Sequence, residues 1–137
     1  MDFSVSWAND YLLLLGRCFL ALVFAVSAST KYRRSPDEIK ILAGLHFPAP
    51  ATAEVLVGIC ETIGVLSLVF GFYTRLASLL LCVFIIAISF AVLPFWTGVD
   101  PPPVKAAKRN AFVANIAIAG GLICLIAAGP GRFSIMR

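Results

Sequence analysis

The stretch EVLVGICETIGVLSLVFGF, residues Glu54 to Phe72, is long and apolar enough to cross a bilayer, yet it carries two carboxylates. A helix spanning ~30 Å of hydrocarbon needs roughly 20 mostly apolar residues. An acid near its centre costs about 2.5–3.5 kcal/mol on insertion scales, so its presence asks for a partner or a purpose. Glu61 lies near the midpoint, and Glu54 lies seven residues earlier. Seven residues are almost two helical turns, so the two acids share a face. Gly58 and Gly64 lie on or beside that face and let a neighbouring helix approach closely. The other segments are therefore read for what meets this polar stripe.

Composition supports a membrane setting. Of the 137 residues, 61% are hydrophobic and 13% charged, with a mean hydropathy of +0.97. A soluble domain averages nearer 45–50% apolar and about 25% charged. The net charge of +4 could suggest nucleic acid, but the basic residues cluster beside apolar segments, as membrane topology requires, and no nucleic-acid motif accompanies them. Strands are not expected, because the apolar runs are long and lack period-2 alternation.

Four spans follow, at about residues 11–29, 51–72, 77–96 and 111–128. The expected fold is all-α: an integral membrane four-helix bundle forming one domain over residues 1–137. Val26-Ser27-Ala28 could serve as a signal cleavage site. No Lys or Arg precedes the apolar run, however, and Arg17 interrupts it, so the first span is read as a retained helix. In the first connection, Ser35-Pro36-Asp37-Glu38 has the pattern of a helix start, with a capping Ser, Pro in the first turn and acids behind it. A short interfacial helix through Ala43 is expected there. His46 is the sole histidine and reads as a loop residue, so no His-rich metal site is expected.

Arg17 is the most informative residue of the first span. Its face continues through Leu20, Phe24, Ser27 and Lys31. Helices joined by a short connection normally pack antiparallel, and by depth Arg17 then pairs with Glu61. Ser27 and Lys31 fall level with Glu54 as a second polar layer. Asn115, inside the fourth span, lies near the depth of that layer, and an amide there is expected to bond a neighbouring helix. The candidate intramembrane site is thus Arg17, Glu61, Glu54, Asn115, Lys31 and Ser27. Such groups either bind and relay protons or only fix helix register. Glu54 with Lys31 also fits a pair snorkelling to headgroups.

Phe90, Phe95 and Trp96 close the third span as interfacial anchors. Asp100-Pro101-Pro102-Pro103 reads as a stiff spacer. Cys18, Cys60, Cys82 and Cys124 fall one per span with no CxxC, and small buried core residues are the expectation. The first and third connections hold Lys31, Arg33, Arg34, Lys40, Lys105, Lys108 and Arg109, against Arg75, Arg132 and Arg137 opposite. The positive-inside rule places both termini outside and residues 30–50 and 97–110 in the cytoplasm.

Several of these pieces together resemble the DoxX family of small membrane proteins. They are Leu15-Gly16-Arg17 with Ser27 and Lys31, Gly44-Leu45-His46-Phe47-Pro48-Ala49-Pro50, Glu61 with Gly64, Gly71-Phe72-Tyr73-Thr74-Arg75-Leu76-Ala77, Asn115, and Gly129-Pro130-Gly131-Arg132-Phe133-Ser134. The resemblance implies a four-helix bundle in a bacterial or archaeal cytoplasmic membrane. It also implies a link to redox systems, since relatives include a subunit of thiosulfate:quinone oxidoreductase and a mycobacterial partner of a sulfurtransferase and a superoxide dismutase. Two functions are then expected to compete. One is a redox-linked, quinone-reactive subunit working with other membrane or peripheral redox proteins. The other is a noncatalytic accessory, assembly or anchoring subunit. No haem, flavin or metal motif stands in the sequence, so no covalently bound cofactor is expected, quinone is the ligand class to consider, and electrons would come from a partner. A solute carrier or channel is weaker, for no broken-helix or repeat signature appears.

Overall fold

The computed structural model describes residues 3–32, 40, 43–44, 46 and 48–135. Four long helices account for most of them: α1 (Phe3–Tyr32), α2 (Pro50–Phe70), α3 (Thr74–Val92) and α4 (Pro102–Ala128), with a 3-10 turn at Phe95–Thr97 between the last two. The interfacial helix expected after Ser35 falls outside the described residues. His46 is exposed in a turn.

Local chemistry sets the boundaries. Pro50 opens α2, where a missing N–H costs nothing. Gly71 closes it in the left-handed region (φ 76°), donating its N–H to Ser67 O. Tyr73 is also left-handed (φ 48°), and together these two positions reverse the chain within residues 71–73, so α3 packs back on α2. Pro94 follows the end of α3. The Pro101–Pro103 run is only partly the spacer expected of it. Pro102 and Pro103 form the first turn of α4, because the N–H groups they lack would have had no helical partner there. α4 therefore starts well before the apolar run at Ala111, and α1 starts at Phe3 rather than near Tyr11.

The helices associate as two antiparallel pairs. α1 packs most extensively on α2, and α3 on α4, while the α2–α3 and α1–α4 seams are slighter. Phe24 of α1, Leu68 of α2, Leu81 and Ile85 of α3, and Leu122 of α4 meet in the core. Gly64 leaves room on α2 for the Leu81 side chain of α3: a Cβ there would stand 2.9 Å from Leu81 Cδ1.

The polarity of the bundle is inverted relative to a soluble domain. Arg17, Glu54, Glu61, Ser67, Thr74, Ser78 and Ser89 are buried, whereas Leu12, Phe19, Leu22, Leu56, Leu80 and Val83 are exposed. Water would not tolerate that exterior, and hydrocarbon would not tolerate that interior turned outward. All four helices are long and apolar enough to span a membrane, and the chain is a multi-pass membrane protein. The cysteines follow the same logic. Only Cys82 is buried, whereas Cys18, Cys60 and Cys124 are exposed, contrary to the expected core placement. Lipid is as apolar as the core, so a thiol gains little by pointing inward.

Gly71 tests the α2–α3 reversal. A side chain at φ 76° is strained, and a Cβ would fall on Ser134 of the C-terminal segment. Gly71→Ala is expected to lower stability by at least about 1–2 kcal/mol, read as a lower thermal midpoint in detergent. Limited proteolysis should release the segment after Gly129 sooner than in the parent protein.

Candidate functional site

The face that α1 turns to α2 buries Arg17, Ala21, Phe24 and Ala28. Arg17 does not pair with Glu61. Its Nε donates to Leu68 O at 2.9 Å, its Nη2 to Val69 O at 3.1 Å, and its Nη1 to Pro130 O. Glu61 lies seven residues, about two turns, back along α2 from Leu68. The guanidinium answers a different need. The last carbonyls of a helix have no partner within it and form the negative end of its dipole. Here Ser67 O accepts from Gly71 N, Phe70 O accepts from Ile135 N at 3.0 Å, and Arg17 takes Leu68 O and Val69 O between them. Every terminal carbonyl of α2 is thereby bonded.

The C-terminal segment is held at the same place. Arg132 N donates to Asp10 Oδ1 at 3.2 Å, the Arg132 guanidinium lies 4.9 Å from the Trp7 ring centre, and the Phe133 and Tyr11 rings approach to 5.0 Å. Trp7 and Asp10 were not among the candidates read from the sequence, and Arg132 entered there only through topology and the closing motif. The signal available was the eight-residue stretch before the apolar run of α1, residues 3–10, which needs something to cover it.

The carboxylates occupy the other half of the α1–α2 seam. Ser27 Oγ donates to Glu61 Oε1 at 3.2 Å, so Ser27 meets Glu61 and not the Glu54 level expected for it. Arg17 and Ser27 are both displaced by the same seven residues, which is a slide of α2 along α1 of about 10 Å. Glu54 is buried on the same face of α2, nearer its start. Lys31 lies in the last turn of α1, and its side chain is outside the described residues. The Tyr32 hydroxyl sits 2.6 Å from Thr62 Oγ1, and Thr62 Oγ1 donates back to Gly58 O at 2.8 Å.

Asn115 belongs to the other helix pair. Its Nδ2 donates to Ser89 Oγ at 2.9 Å, and Ser89 Oγ donates to Ile85 O at 2.6 Å. The amide thus joins α4 to α3 inside the bundle, as an amide at membrane depth is expected to do. Five of the six candidates resolve into three groups: an arginine capping a helix, a serine–carboxylate pair with a second buried acid nearer the start of α2, and an amide–hydroxyl link.

One of these groups borders open space. Where α2 and α3 pack loosely, a groove of about 610 Å³ runs between them, lined by Leu56, Cys60, Glu61, Gly64, Leu80 and Phe84 among others. The lining is almost wholly apolar, and Glu61 is the ionisable carboxyl in its wall. Such a groove suits an apolar molecule with a small polar end. Among the described residues, no group of three or more His, Cys, Asp or Glu side chains is placed to hold a metal ion.

Comparison with known proteins agrees with this architecture. The DoxX family model matches residues 12–94, which take in most of α1 and all of α2 and α3. The Surfeit locus protein 4 homolog of Schizosaccharomyces pombe is 28% identical over 82 residues, covering 60% of this chain and 27% of that protein. The chain thus matches about a quarter of that relative's length. No solved structure gives a significant match.

Arg17→Gln tests the helix cap. Loss of the charged bonds to carbonyls shielded from water is expected to lower stability by about 2–4 kcal/mol, seen as an earlier thermal transition in detergent. Arg17→Lys should restore little of it, because one ammonium cannot match the planar fork that reaches three carbonyls.

Proposed function

The chain belongs to the DoxX family, and from that footing we propose that it serves as a small integral membrane subunit of a redox-linked complex, seating a quinone-class molecule against Glu61. The observation that carries this reading is Glu61 itself: a carboxyl 2% exposed, in the wall of an apolar groove of about 610 Å³ between two helices long and apolar enough to span a membrane. A quinone offers the matching chemistry, with a flat apolar ring and two carbonyl oxygens that accept hydrogen bonds. Its reduction takes up two protons, and a carboxyl held at depth can donate a hydrogen bond and pass a proton. The Ser27 hydroxyl at 3.2 Å orients that carboxyl. Electrons are supplied by a partner protein in this reading. The redox link itself rests on the resemblance to quinone-linked family members.

The placement we favour is a bacterial or archaeal cytoplasmic membrane. Both termini then face outward, and the more basic connections, residues 30–50 and 97–110, face the cytoplasm.

A second reading is favoured by Arg17. Among the described residues its bonds go to backbone carbonyls only, as suits a scaffold, and an accessory or anchoring subunit would need nothing more.

The two readings separate on purification. Extraction in mild detergent followed by mass spectrometry should recover a stoichiometric quinone and a redox partner. Glu61→Gln should reduce the retained quinone by roughly tenfold or more, while helical content and thermal midpoint stay near those of the parent. Equal retention in the variant, or a complex whose quinone belongs to another subunit, would leave the accessory reading standing.

A further inference from the structure

The end of the bundle away from Arg17 carries a second set of groups. Four rings pack there: Phe112 of α4 approaches Phe90 at 5.3 Å, Phe95 at 5.4 Å and Trp96 at 5.8 Å between ring centres. Phe90 and Trp96 remain more than half exposed, at 55% and 52%. Lys105, Arg109 and Phe112 fall at offsets of four and seven residues, on one stripe of α4. By helical rise, Arg109 stands about 4.5 Å and Lys105 about 10.5 Å further out than Phe112. Both cations are exposed, and neither makes a hydrogen bond or ion pair among the described residues. They line a concavity of about 420 Å³ with Gly98 and Asp100. The acid there is already engaged, since Lys108 Nζ lies 2.7 Å from Asp100 Oδ2.

We propose that Lys105 and Arg109 form a headgroup site for an anionic phospholipid, whose glycerol and upper acyl chain lie against Trp96 and Phe90. The order of groups along the stripe matches that of the lipid. Half-exposed aromatic rings suit the boundary between acyl chains and headgroups, and two free cations stand directly outward of them. A phosphate placed between the cations gains both charges in a setting less screened than bulk water. The Lys108–Asp100 pair removes the acid that would repel it and fixes the connection over the site. A soluble anion would use the cations alone, whereas a lipid also covers the exposed faces of Phe90 and Trp96 beside them, and this favours a lipid as the occupant.

The rings also give the test. The chain has two tryptophans, and Trp7 lies on the N-terminal part of α1, at the opposite end of the bundle from Trp96. In a Trp7→Phe background, with helical content checked by circular dichroism, Trp96 alone reports. Proteoliposomes are prepared with either brominated phosphatidylglycerol or brominated phosphatidylcholine at equal mole fraction, and bromine quenches the indole on contact. The anionic lipid is expected to be enriched at Trp96 on the order of fivefold. Lys105→Gln with Arg109→Gln should erase that preference, and Lys40→Gln, in the first connection, should leave it intact. Equal quenching by the two lipids in the starting protein would overturn the proposal. So would a preference that survives the double variant, one that Lys40→Gln removes equally, or displacement of the brominated lipid by millimolar inorganic phosphate.

Discussion

A helix whose end is buried leaves carbonyls that water cannot reach, and α2 ends in that way against Arg17 and the C-terminal segment. The structure depends on how those carbonyls are bonded. Arg17 takes two of them, the chain reversal at Gly71 takes another, and the backbone of Ile135 takes the last. The remaining arm of the guanidinium binds Pro130 O. One side chain therefore ties α1 to α2 and both to the C-terminal segment. Its positive charge stands at the negative end of the α2 dipole, which lessens the need for a carboxylate partner. Because α2 is anchored by its end, the depth of Glu61 and Glu54 along the α1 seam is set by Arg17 even though neither touches it.

That anchoring draws on backbone carbonyls and not on the buried acids. The α1–α2 seam holds Ser27 against Glu61, while the α2–α3 seam stays loosely packed and opens beside the same residue. A bundle of two tight pairs keeps its polar groups within the pairs and its space between them. Asn115 and Ser89 play the corresponding part in the α3–α4 pair. Scaffold and groove are thus separate: α2 is bonded at its end and borders open space beside Glu61.

The sequence made the four helices and their polar face legible, because apolar runs of spanning length have few alternatives and helical periodicity fixes which residues look inward. It did not make the register legible. A slide of seven residues is almost two full turns, so Arg17, Ser27, Glu54 and Glu61 keep the same faces at either setting. Periodicity cannot tell the two apart, and the attraction of Arg17 for an acid favoured the wrong one. The true setting is decided by backbone carbonyls, which carry no sequence signal, and by Pro130 and Ile135, which are remote in the chain. The exposed cysteines escaped for a related reason: in lipid, a small apolar side chain has no preferred side. Proline in the first turn of α4 was read as a spacer because a prolyl run is stiff in either conformation.

The completed cap also has a timetable. Ile135 is made 65 residues after Phe70, which is roughly 3–13 s of synthesis at ordinary elongation rates. Until then α1 and α2 are already present as hydrophobic hairpin partners, with the end of α2 open and one arm of Arg17 unbonded. The nascent hairpin must borrow water, headgroups or the insertion machinery for those bonds. The closing segment then displaces them, so the cap on α2 is completed only after Pro130 and Ile135 have been made.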